Sequence, residues 1–147
     1  MLTPHVGKEA LWFQSICKWN GLSVSDDRLQ LLERYVRQLL DWNKKLNLIS
    51  RRDEENVWTR HILYSASLLF HLSLMQRARI LDLGTGGGLP GIPIKILVPS
   101  FSVTLVDSIN KKTTAVASIL RELSLDDVTV ECGRAEELAE RIEFRNQ

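Results

Sequence analysis

The sequence predicts an α/β fold in which a helical region of about 75 residues precedes a parallel sheet of about three strands. Before residue 77, apolar residues recur at intervals of three and four, which is the spacing of amphipathic helices. After it, short apolar runs alternate with helical stretches. Strands that alternate with helices form parallel sheets with right-handed crossovers. We therefore predict an N-terminal helical region, residues 1–76, and a partial α/β domain, residues 77–147.

Three helices are predicted in the N-terminal region. The first covers residues 8–20 and ends at Gly21, because glycine readily adopts the left-handed conformation that closes helices. Ser25 is the predicted N-cap of the second helix, and Asp53 begins the third, where an acidic residue complements a helix N-terminus. The predicted inner faces of these two helices are Leu29, Leu32, Val36, Leu39 and Leu40, and Val57, Ile62, Ala66, Leu69 and Phe70.

The sheet is predicted from three short apolar runs. They read RILDL (79–83), FSVTLVD (101–107) and VTVEC (128–132), and helical patterns near 91–98 and 109–123 separate them. In such a sheet the carboxyl ends of neighbouring strands meet at one edge, and open parallel sheets bind their ligands there.

Composition and charge exclude several classes of protein. With 44% hydrophobic residues the chain has the composition of a globular protein, and its 19 basic and 18 acidic residues exclude a polycation that binds nucleic acid by overall charge. The sequence shows no secretory signal and no membrane-spanning stretch, so we expect a cytoplasmic protein. Cys17 and Cys132 lie far apart without metal-ligand spacing, and we expect two buried thiols and no metal site.

Four glycines stand within five residues where the first predicted strand gives way to a helix. Gly84, Gly86, Gly87 and Gly88 predict a turn whose backbone approaches a ligand closely. A phosphate-binding P-loop would need a lysine followed by serine or threonine, which this turn lacks.

Two adenosine-containing ligands remain for this turn. The S-adenosylmethionine pattern D/E-x-G-x-G-x-G is met in full by Asp82, Gly84, Gly86 and Gly88. The dinucleotide fingerprint G-x-G-x-x-G requires a glycine where Leu89 stands, but a register shifted to Gly86, Gly88 and Gly91 keeps it open as an alternative.

The ends of the second and third strands carry further candidate residues. Asp107 ends the second strand about twenty residues after the turn, where a carboxylate accepts both ribose hydroxyl hydrogens. A helix N-cap is its alternative role. Ala135 and Glu136 follow the third strand at the same edge, where an acid and backbone groups contact an adenine rim, although a solvated helix start explains Glu136 nearly as well.

Five segments of the chain together resemble one protein family. They read WNKKLNLIS, RHILYS, DLGTGGGLPGIP, LVDSINKK and RAEEL, and they are similar in order and spacing to the 16S ribosomal RNA guanine-N7 methyltransferases, the glucose-inhibited division protein B family. The resemblance runs from about Asp41 to the end of the chain. It implies a Rossmann-like class I fold that uses S-adenosyl-L-methionine to methylate a guanine of 16S ribosomal RNA in the small ribosomal subunit.

The resemblance also implies roles for individual residues. Four cofactor contacts follow by matching positions: Gly84, Leu89, Ala135 and Glu136. Asp107 occupies the ribose-binding place of the wider fold. Four cations are the candidate RNA contacts: Arg51, Arg60, Lys111 and Lys112. Guanine N7 carries a lone pair and no proton, so the transfer needs no general base, and we assign no catalytic residue.

Two departures from the family pattern leave alternatives open. Tyr64 stands where the family's R-H-I-L-D-S segment has an aspartate, in a stretch expected to face the site. The family continues beyond EFRNQ through further strands, so we expect a truncated chain with an open sheet edge, whose activity and oligomeric state the sequence does not predict. The alternatives are a nicotinamide-dependent oxidoreductase and a non-catalytic remnant that binds RNA or a partner.

Overall fold

The computed structural model describes residues 6–72 and 76–141 of the chain. Helices occupy the first part, and three strands alternate with helices in the second. In chain order the elements are α1 (Lys8–Trp19), α2 (Asp26–Asn43), a 3₁₀ helix (Arg51–Asn56), a π-helical turn (Trp58–Leu63), α3 (Tyr64–His71), β1 (Arg79–Leu83), α4 (Gly91–Leu97), β2 (Ser102–Asp107), α5 (Asn110–Leu123), β3 (Val128–Cys132) and α6 (Ala135–Leu138). The predicted α/β fold is confirmed.

Helices α1 and α2 form where the sequence predicts them. Gly21 follows α1 with a φ of 80°, and the N–H of Leu22 donates to the carbonyl of Cys17 at 2.9 Å, which closes the helix end. Ser25 is extended and precedes α2, and its carbonyl accepts the N–H of Leu29 at 3.0 Å. Its position as N-cap is therefore confirmed, although its side chain makes no capping hydrogen bond to the described residues.

The third predicted helix is less regular than expected. A 3₁₀ helix and a π-helical turn precede α3, so the helical stretch begins at Arg51 rather than at Asp53. The Asp53 carboxylate accepts a hydrogen bond from Arg60 at 3.1 Å, and His61 Nε2 lies 3.1 Å from its other oxygen. The π-helical turn buries Trp58 against the ring of Phe13, with ring centroids 5.5 Å apart. These side-chain contacts accompany the irregular backbone of this segment.

The sheet has the predicted parallel topology. Its strand order is β1-β2-β3, and Val103 pairs with Ile80 on one side and Val128 on the other. Val103 and Leu105 are buried and face α4, because a methyl group added at Gly91 of α4 would touch both.

One hydrophobic core joins the helical region to the sheet. Every residue of α4 is buried, and α4 contacts α2, α3 and β2. The Arg28 side chain of α2 donates to the carbonyl of Leu97 at 2.8 Å, which ties α2 to the end of α4. The turn between β1 and α4 is consequently held between the sheet and α2. Among the described residues, no helix is both long and apolar enough to cross a membrane.

Candidate functional site

The carboxyl ends of the three strands lie side by side. Leu83 of β1 pairs with Val106 of β2, and Asp107 pairs with Cys132 of β3, so the loops that follow the strands open at one edge of the sheet. The structure thus brings together the glycine turn, Asp107 and the start of α6, in the place where parallel sheets bind ligands.

The glycine turn has a left-handed backbone at the three glycines of the D-x-G-x-G-x-G pattern. Gly84, Gly86 and Gly88 have φ values of 75°, 56° and 94°, which an L-residue adopts only with strain, whereas Gly87, outside the pattern, has no positive φ. At Gly88 packing also excludes a side chain, since a Cβ would lie 2.3 Å from Cδ1 of Ile92. At these three positions the turn therefore presents main chain without a side chain.

Hydrogen bonds within the main chain close this turn. The N–H groups of Gly84 and Thr85 both donate to the carbonyl of Val106, at 2.8 and 2.9 Å. Those of Gly88 and Leu89 donate to the carbonyl of Thr85, at 2.9 and 3.0 Å. Leu89, a predicted cofactor contact, is half-buried against the core at the end of the turn.

Asp82 lies buried beneath the turn. Its Oδ2 accepts hydrogen bonds from the Thr85 hydroxyl at 2.8 Å and from the Gly91 N–H at 2.9 Å. Burial raises the pKa of this carboxyl; the two hydrogen bonds oppose that rise, and the charge of Asp107 adds to it. Asp82 therefore ties the turn to the start of α4. The sequence pattern alone did not distinguish this structural role from direct contact with a ligand.

Asp107 connects the end of β2 to the glycine turn. Its Oδ2 accepts the N–H of Gly86 at 2.9 Å, and its Oδ1 accepts the N–H of Ile109 at 2.9 Å. The residue is 8% exposed. The second bond holds Ile109, which is itself the N-cap of α5, so the alternative role of Asp107 as the N-cap of this helix is wrong, and its carboxylate lies beside the turn.

Sequence reasoning missed one residue beneath the turn, Tyr35 of α2. Its hydroxyl donates to the carbonyl of Gly87 at 3.0 Å, and the residue is fully buried. Helical spacing placed Leu32 and Leu39 on the inner face of α2 and thereby indicated that Tyr35 is buried. Periodicity carries no information about its hydrogen-bond partner, Gly87, which lies 52 residues away in the sequence.

The loop after β3 is the most open part of the site. Its connection to the second strand is the Gly133 N–H, which donates to the carbonyl of Asp107 at 3.0 Å. Ala135 begins α6 half-buried, and Glu136 is exposed beside it. The expectation of two buried thiols is wrong for Cys132, which is exposed at the end of β3.

A polar hollow lies next to the glycine turn. It has a volume of about 450 Å³, and its lining residues include Asn47, Ser50 and the exposed Arg51. Leu48, another lining residue, is adjacent to the turn, since a Cβ at Gly86 would lie 3.4 Å from its carbonyl oxygen. Of the predicted RNA contacts, Arg51 thus lines the same hollow as Leu48.

The other predicted RNA contacts are more dispersed. Arg60 is exposed but pairs with Asp53 at 3.1 Å. Lys111 is exposed and Lys112 half-buried in the first turn of α5, next to the end of β2. Tyr64, in place of the family's aspartate, is 72% exposed at the start of α3.

The sequence comparisons identify relatives of a single kind. The family described as GidB, rRNA small subunit methyltransferase G, matches residues 28–145. Among curated proteins named ribosomal RNA small subunit methyltransferase G, that of Chlorobaculum tepidum is 42% identical over 85% of this chain and 58% of its own length. Those of Chlorobium chlorochromatii and Exiguobacterium sibiricum are each 38% identical, over 92% and 85% of this chain and 58% and 52% of their own lengths.

The chain thus spans little more than half the length of these relatives. The match nevertheless includes α2, the glycine turn and all three strands, which are the elements that build the candidate site. On this evidence the chain belongs to the GidB family, the rRNA small subunit methyltransferase G family.

Proposed function

We propose that the glycine turn binds S-adenosyl-L-methionine and that the chain serves in the N7-methylation of a guanine in 16S ribosomal RNA. The observation that carries the proposal is the backbone of the turn, where Gly84, Gly86 and Gly88, the pattern glycines, share a positive φ at the end of a parallel strand. The family of the chain supports the same donor.

The described residues fit such a donor. A Cβ at Gly84 would meet no atom within 4 Å, so the turn is open on that side. Each oxygen of Asp107 accepts one backbone N–H, and a carboxylate oxygen has capacity for a second hydrogen bond, which leaves acceptors for the ribose hydroxyls. Ile109, exposed beside Asp107, offers an apolar surface to the adenine ring.

When bound, this donor supplies a methyl group on a positively charged sulfur. The chain contributes a rigid main-chain seat and a fixed carboxylate at the sugar, which together hold the donor in one orientation. No residue has to remove a proton, because guanine N7 presents a free lone pair. Alignment of donor and base is therefore the main requirement on the protein.

The polar hollow next to the turn is the proposed place of the RNA substrate. Arg51 and Ser50 offer donors to phosphate or base oxygens there, and Lys111 and Lys112 extend the positive charge along the same edge of the sheet. The guanidinium of Arg60 is shared with Asp53, so we assign it a smaller part in RNA binding.

A nicotinamide dinucleotide is the alternative ligand. Its fingerprint requires the shifted register Gly86, Gly88 and Gly91, in which the last glycine allows close packing of helix and strand. Gly91 does pack closely, since a Cβ there would lie 2.3 Å from Leu105. That contact suits either ligand, whereas the family favours the methyl donor.

Titration calorimetry with S-adenosylhomocysteine and NADH tests the choice of ligand. Two glycines of the chain form a matched pair: Gly84 and Gly21 have φ values of 75° and 80°, and a Cβ at either position meets no atom within 4 Å. Gly84→Ala and Gly21→Ala therefore introduce the same backbone strain, of about 1 kcal/mol each. We expect S-adenosylhomocysteine to bind and only Gly84→Ala to weaken it, by about tenfold or more.

Binding of NADH alone, or equal losses of affinity in both variants, would contradict the proposal. Methyl transfer from labelled donor to small ribosomal subunits then separates an active methyltransferase from a remnant. Retention of ribosomal RNA without transfer of label would identify a non-catalytic binding protein.

A further inference from the structure

We infer that α2 and the segment that follows it form the floor of the cofactor turn, and that Tyr35 is a positioning residue for the methyl donor. The second part of this inference rests on the function proposed above. The floor consists of Tyr35, Leu39 and Leu48, which contact the side of the glycine turn that faces the helical region.

The first support is the hydrogen bond from Tyr35. The carbonyl of Gly87 points into the protein and accepts the buried hydroxyl at 3.0 Å. Burial, together with the charge of Asp82, raises the pKa of Tyr35 well above its usual range, so the hydroxyl keeps its proton under physiological conditions. The bond fixes the direction of one peptide plane in the middle of the turn.

The second support is steric and comes from two leucines. A Cβ at Gly87 would lie 2.5 Å from Cδ1 of Leu39 and 3.3 Å from Cβ of Leu48, so the main chain of the turn rests directly on these side chains. Gly87 has no positive φ. At Gly87, contact with the floor therefore excludes a side chain. At the three pattern glycines, the positive φ is what favours glycine.

The segment that carries Leu48 is itself held in place by Asn43, the last residue of α2. The side-chain Oδ1 of Asn43 accepts the N–H groups of Leu48 and Ile49 at 2.8 and 2.9 Å, and its side-chain Nδ2 donates to Glu54 at 2.6 Å. Asn43 is 1% exposed. The floor is thus connected by hydrogen bonds to the 3₁₀ helix that follows.

The expected consequence is a turn already ordered before the donor arrives. A loop held in its binding conformation loses less entropy when the ligand binds, and affinity rises accordingly. The helical region therefore contributes to the cofactor site through the shape of the turn.

Hydrogen exchange in the unliganded chain tests the floor independently of any ligand. Tyr35→Phe keeps the ring and removes the hydroxyl. We expect amide exchange in the segment 84–88 to accelerate about tenfold, while exchange in α5 stays within a factor of about two of the unaltered chain. The chain has one other tyrosine, and its exposed position makes Tyr64→Phe the matched control, which should leave exchange in the turn unchanged.

A second variant pair covers the case in which Tyr35→Phe does not fold. Gly87→Ala places a methyl group against Leu39 and should accelerate exchange in the turn, and Leu39→Val, which removes the Cδ1 atom concerned, should reverse that acceleration when the two are combined. Unchanged exchange in the turn, or equal acceleration in the turn and in α5, would overturn the inference.

Calorimetry with S-adenosylhomocysteine then tests the part that concerns the donor. We expect Tyr35→Phe to raise its Kd about fivefold. An unchanged Kd alongside accelerated exchange would overturn the positioning role. If the unaltered chain binds no S-adenosylhomocysteine, the proposed function fails, and the exchange data still decide whether Tyr35 orders the turn.

Discussion

The loops after β1 and β3 open at the same edge of the sheet but are built differently. The loop after β1 is held from three sides: by Asp82 beneath it, by Asp107 from the neighbouring strand and by Tyr35 from α2. Among residues 76–141, the loop after β3 bonds to the main chain of β2 through the Gly133 N–H, and its Glu136 is exposed to solvent.

This difference indicates that the two loops contribute to ligand recognition in different ways. A loop with fixed peptide planes discriminates by shape, and it suits the part of a ligand whose position matters for reaction. A loop with few constraints adapts to the ligand, and each of its contacts contributes less affinity because order must be established on binding. We therefore expect substitutions in the first loop to be the more costly, in stability and in binding.

The largest expected effect is on stability, at the glycine that closes the first loop. Gly91→Ala would place a Cβ 2.3 Å from Leu105 Cδ2 and 2.8 Å from Asp82 Oδ2, both buried. We expect the free energy of unfolding to fall by about 3 kcal/mol, as for overpacked cores. In the second loop, a Cβ at Gly133 would approach Leu138 no closer than 3.3 Å, and Gly133→Ala should cost less than about 1 kcal/mol.

Urea unfolding of both variants measures this contrast. Equal losses would show that the two loops are packed with similar constraint, and the distinction between them would be wrong.

A smaller effect is expected on donor binding, at the two carboxylates. Asp107→Asn removes the charge beside the proposed ribose site and should raise the Kd of S-adenosylhomocysteine about tenfold, or about 1.4 kcal/mol. Glu136→Gln should change it less than about threefold, because an exposed carboxylate on an open loop is already solvated. Calorimetry on the two variants at one ionic strength provides the comparison, and a larger effect at Glu136 would reverse the assignment.

The smallest effect concerns protection of a thiol. Burial raises the pKa of Cys17 from 9.0 to about 12, so this thiol stays protonated and unreactive at pH 8, whereas Cys132 is exposed at the second loop. A thiol reagent should label Cys132 alone, and bound S-adenosylhomocysteine should slow labelling by about threefold. Mass spectrometry with and without the ligand gives both rates, and labelling in urea provides the control in which both thiols react.

The same pKa predicts how Cys17 affects stability at high pH. Its folded-state value lies above its unfolded-state value, so the neutral thiol contributes fully below pH 9 and the contribution is lost as the pH rises toward about 12. Labelling of Cys17 in the native chain at pH 8 would show that this thiol is not buried, and would contradict the predicted pH dependence of stability.

Particular residues show how far sequence patterns reached into this site. Asp82 and Asp107 both met a pattern for ligand contacts, and both lie at the turn, but Asp82 holds it from beneath while Asp107 bonds to its Gly86 N–H from the side. The spacing of residues in a sequence predicts which of them lie near a turn. It does not predict toward which side of the turn a carboxylate faces. The irregular helix from Arg51 was missed for a similar reason, since apolar periodicity does not distinguish 3₁₀ and π-helical turns from an α-helix.

The order of helices and strands, the position of the glycine turn and the family could all be read from the sequence, because each rests on local spacing or on segments that can be compared along the chain. Tertiary structure alone decided what lies beneath the turn. Tyr35 and Gly87 meet across 52 residues, and such a contact depends on how α2 packs against the sheet. Packing at long range leaves no periodic signal in one sequence, because either partner is individually compatible with many surroundings.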